Sequence, residues 1–150
     1  MSKPPPCIEP CITCGFRMGE PLVRLSVSDL CFVSDRRFPG RCVVVLHRHA
    51  TELFELTPEQ RHAFVDDVST AARAIQATVG AFKMNYEVLG NADPHVHCHL
   101  IPRQRGEPKP KAPAWLHPDP QEEMEPVAAE AIKHRIAAHV RASPDSSDSS

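Results

Sequence analysis

Residues 95–101, HVHCHLI, alternate imidazole side chains with apolar or thiol ones. A period of two belongs to an extended strand; a helix would scatter the same side chains around its circumference. Alternate residues of a strand sit about 6.5–7 Å apart on one face. His95, His97 and His99 therefore share a face, and Val96, Cys98 and Leu100 turn into a core behind it. Whatever else the chain does, it must build a sheet around this segment.

Other stretches supply the partners. The run CVVVL at 42–46 is β-branched and reads as a buried strand. PLVRLSVSDLCFVSD, residues 21–35, alternates well enough for one or two strands, and Pro39 and Gly40 carry a turn in RRFPGR. FKMNYEVLG forms a strand, residues 90–94 a turn, and the histidine strand follows, which predicts an antiparallel pair.

Between them lies a helix with local signals at both ends. Thr57 caps it, Pro58 suits its first position, Gln60 completes a capping box and Gly80 stops it. Phe64, Val68, Ala71, Ala72, Ile75 and Val79 give it one apolar face. A second helix is predicted over about residues 121–141, with Met124, Ala128, Ala131, Ile132, Ile136 and Val140 sharing a face. The proline- and lysine-rich stretch 103–120 is expected to run over the surface. The expected organisation is a flexible segment at 1–10, one domain at 11–141 and a disordered acidic, serine-rich tail at 142–150.

Composition narrows the class. A chain of 150 residues with 41% hydrophobic and 24% charged residues fits one soluble domain. Its net charge of −2 argues against a general nucleic-acid or membrane binder. MSKPPPCIEP has no apolar run of a signal peptide, and the aliphatic run 43–46 is far too short to span a bilayer, so the expected location is cytoplasmic. In that reducing compartment the six cysteines are expected to be ligands or buried thiols. Cys31, Cys42 and Cys98 lie in apolar surroundings and read as core, whereas Cys7, Cys11 and Cys14 gather near the start.

Three chemistries fit a His-x-His core. A binuclear metallohydrolase pattern needs Asp at position 99, which is His. A cupin-like metal site needs a Glu soon after the second His, where Leu100, Ile101 and Pro102 stand. The third pattern, His-φ-His-φ-His-φ-φ with φ apolar, is matched in full by residues 95–101. The bland alternative is a polar sheet face of solvated histidines.

The full pattern resembles the histidine-triad (HIT) family of nucleotide hydrolases and transferases. The likeness extends to GRCVVVLHRHATELFELTPEQ, to LGN before the triad and to IPR after it, and covers roughly residues 11–105. It implies an α+β, HIT-like fold: an antiparallel sheet with one long helix and a C-terminal helix. It implies a homodimer, since members commonly pair. It also makes His97 the nucleophile that attacks the α-phosphorus of a nucleotide conjugate, such as a dinucleoside polyphosphate, to form a nucleotidyl-histidine. His99 would contact phosphate oxygens, and Asn91 phosphate or ribose.

The chain departs from the family at one place. Many members carry Gly-Gln-Ser/Thr just before the triad, and here GNADPH stands instead, with Asp93 as a candidate proton donor. That departure keeps open a zinc-stabilised nucleotide-binding or sensing protein without turnover, and a nucleotidyltransferase with the same intermediate.

CITC has the spacing of half a tetrahedral zinc site. Zinc-binding members, and the related galactose phosphate uridylyltransferases, pair such cysteines with two histidines. Carried over, the set is Cys11, Cys14, His49 and His95 around a structural zinc ion, with Cys7 and His47 as substitutes. Arg103, Arg105, Lys109 and Lys111 could attract distal phosphates or form a solvated basic loop. Trp115 could cover a base or a dimer partner, or pack the surface segment onto the domain.

Overall fold

Helix α1 (Pro58–Val79) is where local chemistry and the fold agree most closely. In the computed structural model, which describes residues 10–143, Thr57 Oγ1 accepts from the Gln60 N–H and Gln60 reaches back to the Thr57 N–H. Gly80 closes the helix at φ 67°, a left-handed conformation in which glycine carries no Cβ penalty. The buried face contains Phe64, Val68, Ala71, Ala72 and Ile75 as expected, with Val79 packed at its margin.

Five strands form one antiparallel sheet: β1 (Glu20–Arg24), β2 (Ser28–Phe32), β3 (Cys42–Leu46), β4 (Lys83–Glu87) and β5 (His97–Arg103), in the order β1-β2-β3-β5-β4. The histidine strand is thus central, paired with β3 on one side and β4 on the other. This is the α+β arrangement expected, with the long helix α1 and the C-terminal helix α2 (Pro126–Ala142) covering one face. Leu30, Phe32, Cys42, Val44, Leu46, Val96, Cys98 and Leu100 meet the helices there. The alternate residues, including Asp29, Cys31, Val43, Val45, His97, His99 and Glu87, belong to the opposite face.

Asp67 ties α1 to the β1–β2 turn. Its buried carboxylate accepts from the N–H groups of Ser26 and Val27 and from the hydroxyls of Ser26 and Ser28. Four donors satisfy a charge that burial would otherwise make costly. The expected turn at Pro39 and Gly40 is present, with Gly40 at φ 99°. A Cβ there would come within 3.0 Å of Val79, so only glycine lets this turn lie against the end of α1.

Two boundaries differ from expectation. α2 starts at Pro126, not near 121, because Glu125 caps it through the Ala128 N–H and proline suits the first turn. Met124 is buried ahead of the helix, and the inward face is Ala129, Ile132, Ile136, Ala137 and Val140, leaving Ala128 and Ala131 exposed. β5 begins at His97, so His95 precedes the regular strand. Backbone pairing nevertheless continues, since Val96 accepts from Leu46 N–H and donates to the Ala50 carbonyl. Cys7, most of the expected N-terminal segment and residues 144–150 of the tail lie outside the described residues.

Candidate functional site

The three histidines lie side by side at one end of the sheet, each buried: His95 is 2% exposed, His97 3% and His99 8%. Their hydrogen bonds fix what two of the rings present. His97 Nδ1 lies 2.6 Å from the carbonyl oxygen of His95. A carbonyl can only accept, so Nδ1 carries a proton, and in the neutral ring the lone pair lies on Nε2. His97 Nε2 is therefore the ring nitrogen turned away from that carbonyl. By the same logic His95 Nε2 donates to the Leu46 carbonyl at 2.8 Å and leaves Nδ1 as the free donor atom.

That atom faces the cysteines. Cys14 Sγ is 3.5 Å from His95 Nδ1, Cys11 Sγ is 3.6 Å from His49 Nδ1, and the four ligand atoms lie within 4.8 Å of one another. A tetrahedral ion with bonds of about 2.3 Å to sulfur and about 2.05 Å to nitrogen needs sulfur–nitrogen edges of about 3.6 Å. The two observed edges meet that requirement. The sequence-predicted set is thus brought together as a group able to hold a metal ion. His47, the substitute ligand, is instead committed to Asp29 at 2.8 Å.

The thiols are electrostatically unequal. Desolvation opposes ionisation of Cys11, but the N–H groups of Cys14 and Thr13, the Cys14 thiol and His49 outweigh it and hold it at about 6. Desolvation pushes Cys14 up, against the Phe16 N–H, and neighbouring Cys11 and Asp93 push it further. Cys11 is the first of the pair to become a thiolate, the form that ligates metal.

The loop bearing both cysteines also covers His97. Gly15 N–H donates to the Cys11 carbonyl, Cys11 N–H donates to the Phe16 carbonyl, and the turn delivers Phe16 onto the histidines. The Phe16 ring stacks on His95 at 5.3 Å between centroids and lies tilted against His97 at 4.7 Å. Sequence reasoning missed Phe16. Its position two residues after Cys14 was visible, but nothing local says where the loop lands.

His99 stands edge-on to His97 at 4.9 Å. Burial lowers its pKa, and His97 and Arg41 lower it further against the opposing pull of Asp93, to about 4. It is neutral at pH 7. The folded state then takes up this proton later than the unfolded chain, whose histidine titrates near about 6.5. The stability this contributes is present above about pH 6.5 and is lost as pH falls through 4. We expect the wild type to lose about 1–3 kcal/mol more than His99→Gln across that interval, measured by urea unfolding. Parallel pH profiles for the two proteins would contradict this environment for His99.

The remaining predicted residues separate. Asn91 is exposed in the loop before the triad and makes no hydrogen bond to it among the described residues; Asp93 is exposed in the same loop. Arg103 is neither a phosphate lure nor part of a solvated basic loop. It is 3% exposed and bound to Glu107, Asn85 and the carbonyls of Lys109 and Ala112, so it pins the 104–112 segment to the sheet. Trp115 is 63% exposed. Two charged neighbours escaped notice in the sequence. Glu87 pairs across the sheet with His99, and burial raises its carboxyl against the pull of Arg41 and Arg103. Arg41 reaches the buried Asp35 at 2.8 Å.

Three buried imidazoles on and just before a central strand, backed by a helical layer, define a small α+β protein with a candidate nucleophile. Residues 29–106 match the HIT domain, and the chain belongs to that family. Among solved structures it resembles a histidine triad (HIT) protein from Sinorhizobium meliloti 1021, with 28% identity and a TM-score of 0.74 over 81% of this chain and 89% of that one. A histidine triad protein from Marinobacter aquaeolei VT8 has the same fold, with 23% identity, a TM-score of 0.73 and coverage of 82% and 89%. So does a Zn-bound histidine triad family protein from Mycobacterium smegmatis, with 18% identity, a TM-score of 0.62 and coverage of 88% and 94%. No functionally curated protein matches the chain.

Proposed function

We propose that this protein is a nucleotide hydrolase that cleaves phosphoanhydride or phosphoramidate bonds, for example in dinucleoside polyphosphates, through a nucleotidyl-histidine on His97. The observation that carries the reading is the hydrogen bond from His97 Nδ1 to the His95 carbonyl. In the neutral ring it leaves the lone pair on Nε2, the atom proposed to attack the α-phosphorus. The P–N bond forms as the bond to the leaving group breaks, and water then attacks phosphorus to release a nucleoside monophosphate and restore the imidazole. His99, neutral and alongside, supplies an N–H to the phosphate oxygens, where charge develops. Asn91 is proposed to contact phosphate or ribose from its loop.

Cys11, Cys14, His49 and His95 would hold a zinc ion in a closed four-ligand site, which contributes folding energy and no open position for substrate. Its place in the mechanism is structural: it ties the Phe16 loop to the strand that bears His97.

The test is incubation with diadenosine tetraphosphate and with adenosine phosphoramidate, following nucleoside monophosphate by chromatography. Release that depends on His97 supports the hydrolase. Binding without release would favour a nucleotide sensor, and transfer to added phosphate or sugar phosphate a nucleotidyltransferase.

A homodimer belongs to the same proposal. β4 is an edge strand, and Tyr86, Val88, Leu89 and Trp115 are 45–63% exposed beside it. An open edge flanked by apolar side chains invites pairing with a second copy. Sedimentation should show a dimer that Tyr86→Lys with Leu89→Glu converts to monomer; a monomeric wild type at micromolar concentration would contradict it. No helix among the described residues is long and apolar enough to cross a membrane. We place the protein in the cytoplasm.

A further inference from the structure

Two buried side-chain atoms have no hydrogen-bond partner among the described residues, Arg41 Nε and His99 Nδ1. They are complementary, since the guanidinium Nε–H is a donor and an imidazole nitrogen can accept. Unpaired atoms of this kind are rare in folded proteins and call for a physical account.

Register puts the two side chains on one face of the sheet. His99 pairs with Val43 and Leu100 with Cys42, so Arg41, two residues before Val43, is the diagonal neighbour of His99. Diagonal neighbours lie about 7–8 Å apart at the backbone, within reach of a long side chain. The positive charge of Arg41 is also felt at His99.

Arg41 is aimed from behind. Its Nη1 donates to Asp35 Oδ2 at 2.8 Å, and Asp35, fully buried, also takes the Nε and Nη2 of Arg37. Backbone bonds from Arg41 N–H to Phe38 and from Val33 N–H to Arg41 close the loop around that carboxylate. The guanidinium is therefore anchored at its tip, with Nε left over on the side chain between the tip and the sheet.

We propose that Arg41 is a positioning residue for the triad: its Nε–H donates to His99 Nδ1 and locks that imidazole as the Nε2–H tautomer. Closing that bond requires the His99 ring to turn toward Arg41. Nδ1 then has no proton to misplace, and Nε2–H is the only donor the ring can offer. The value of that donor to phosphate rests on the hydrolase reading; the tautomer itself does not. Asp35, Arg41 and His99 form a relay that holds one N–H in place where the segment before the triad, GNADPH, brings neither glutamine nor hydroxyl.

The test is 15N NMR of the histidine rings in full-length, zinc-loaded protein at neutral pH, with His99 assigned by its loss in His99→Gln. Wild type should show His99 as the Nε2–H tautomer. Arg41→Lys keeps a charge for Asp35 but has no donor partway along the side chain, and should raise the Nδ1–H population. Arg41→Gln should do the same; if it does not fold, Arg41→Lys carries the test. Arg37→Ala breaks the other arm of Asp35 and should lower stability while leaving the tautomer unchanged. If nucleotide is hydrolysed, Arg41→Lys should reduce kcat about tenfold or more with little change in KM. A wild-type Nδ1–H tautomer, or a folded Arg41→Lys with wild-type ring shifts, would overturn the proposal. A tautomer that follows Arg41 in a protein without turnover would leave the relay standing and remove the hydrolase reading.

Discussion

Replacing His97 with alanine is expected to lower nucleotide hydrolysis by at least about 10³-fold while substrate still binds. The size follows from the role. A nucleophile that forms a covalent intermediate divides one hard displacement into two, and neither neighbour can take over. His95 turns Nδ1 toward Cys14, and His99 stands edge-on to the His97 ring. The same variant should show no nucleotidyl adduct by mass spectrometry after rapid acid-free quenching, whereas wild type should. The fold should survive, because His97 contributes one buried ring and one hydrogen bond; circular dichroism verifies this. Equal turnover by the two proteins would remove His97 from the chemistry.

Changing Cys11 and Cys14 together to serine is the second large effect. Zinc content, measured by atomic absorption, is expected to fall from about one ion per chain to near none, and the melting temperature by about 5–15 °C. A structural ion would join elements far apart in sequence: Cys14 reaches His95 across 81 positions and Cys11 reaches His49 across 38. Without it, the loop that carries Phe16 has few bonds to the sheet, so trypsin should cleave after the exposed Arg17 far faster than in wild type. Undiminished zinc in the double variant would exclude this ligand set. Lost zinc with unchanged melting and proteolysis would show that the ion does not hold the loop.

The parts of the fold legible beforehand are those written in short-range chemistry. The capping box at Thr57 and Gln60 and the stop at Gly80 marked α1 almost to the residue, because caps act within one turn. Period-two alternation marked the strand and the shared face of its histidines, although β5 proper starts at His97 and not His95. α2 was placed too early, because Met124 carries an apolar side chain at a helical interval without being helical. A periodicity does not distinguish a residue inside a helix from one that leads into it.

The site divides in the same way. The spacing His-φ-His-φ-His-φ-φ, the CITC pair and His49 were enough, with the family resemblance, to name a candidate set of four residues whose ligand atoms lie within 4.8 Å of one another. Arg103 was misjudged because a basic residue in a proline- and lysine-rich stretch looks solvated until its carbonyl partners are known. Phe16, Arg41 and Glu87 carried no signal.

By itself the sequence determined the elements, the central strand and the identity of its three imidazoles, since periodicity, caps and turns are local properties of the chain. Only the tertiary structure decided what each imidazole presents. The tautomers of His95 and His97 follow from the carbonyls of Leu46 and His95 that happen to face them, and the cover of Phe16 and the charge of Arg41 at His99 come from segments more than fifty residues away. Ring orientation is set by neighbours in space, and Leu46, Phe16 and Arg41 reach the histidines only once the sheet has closed.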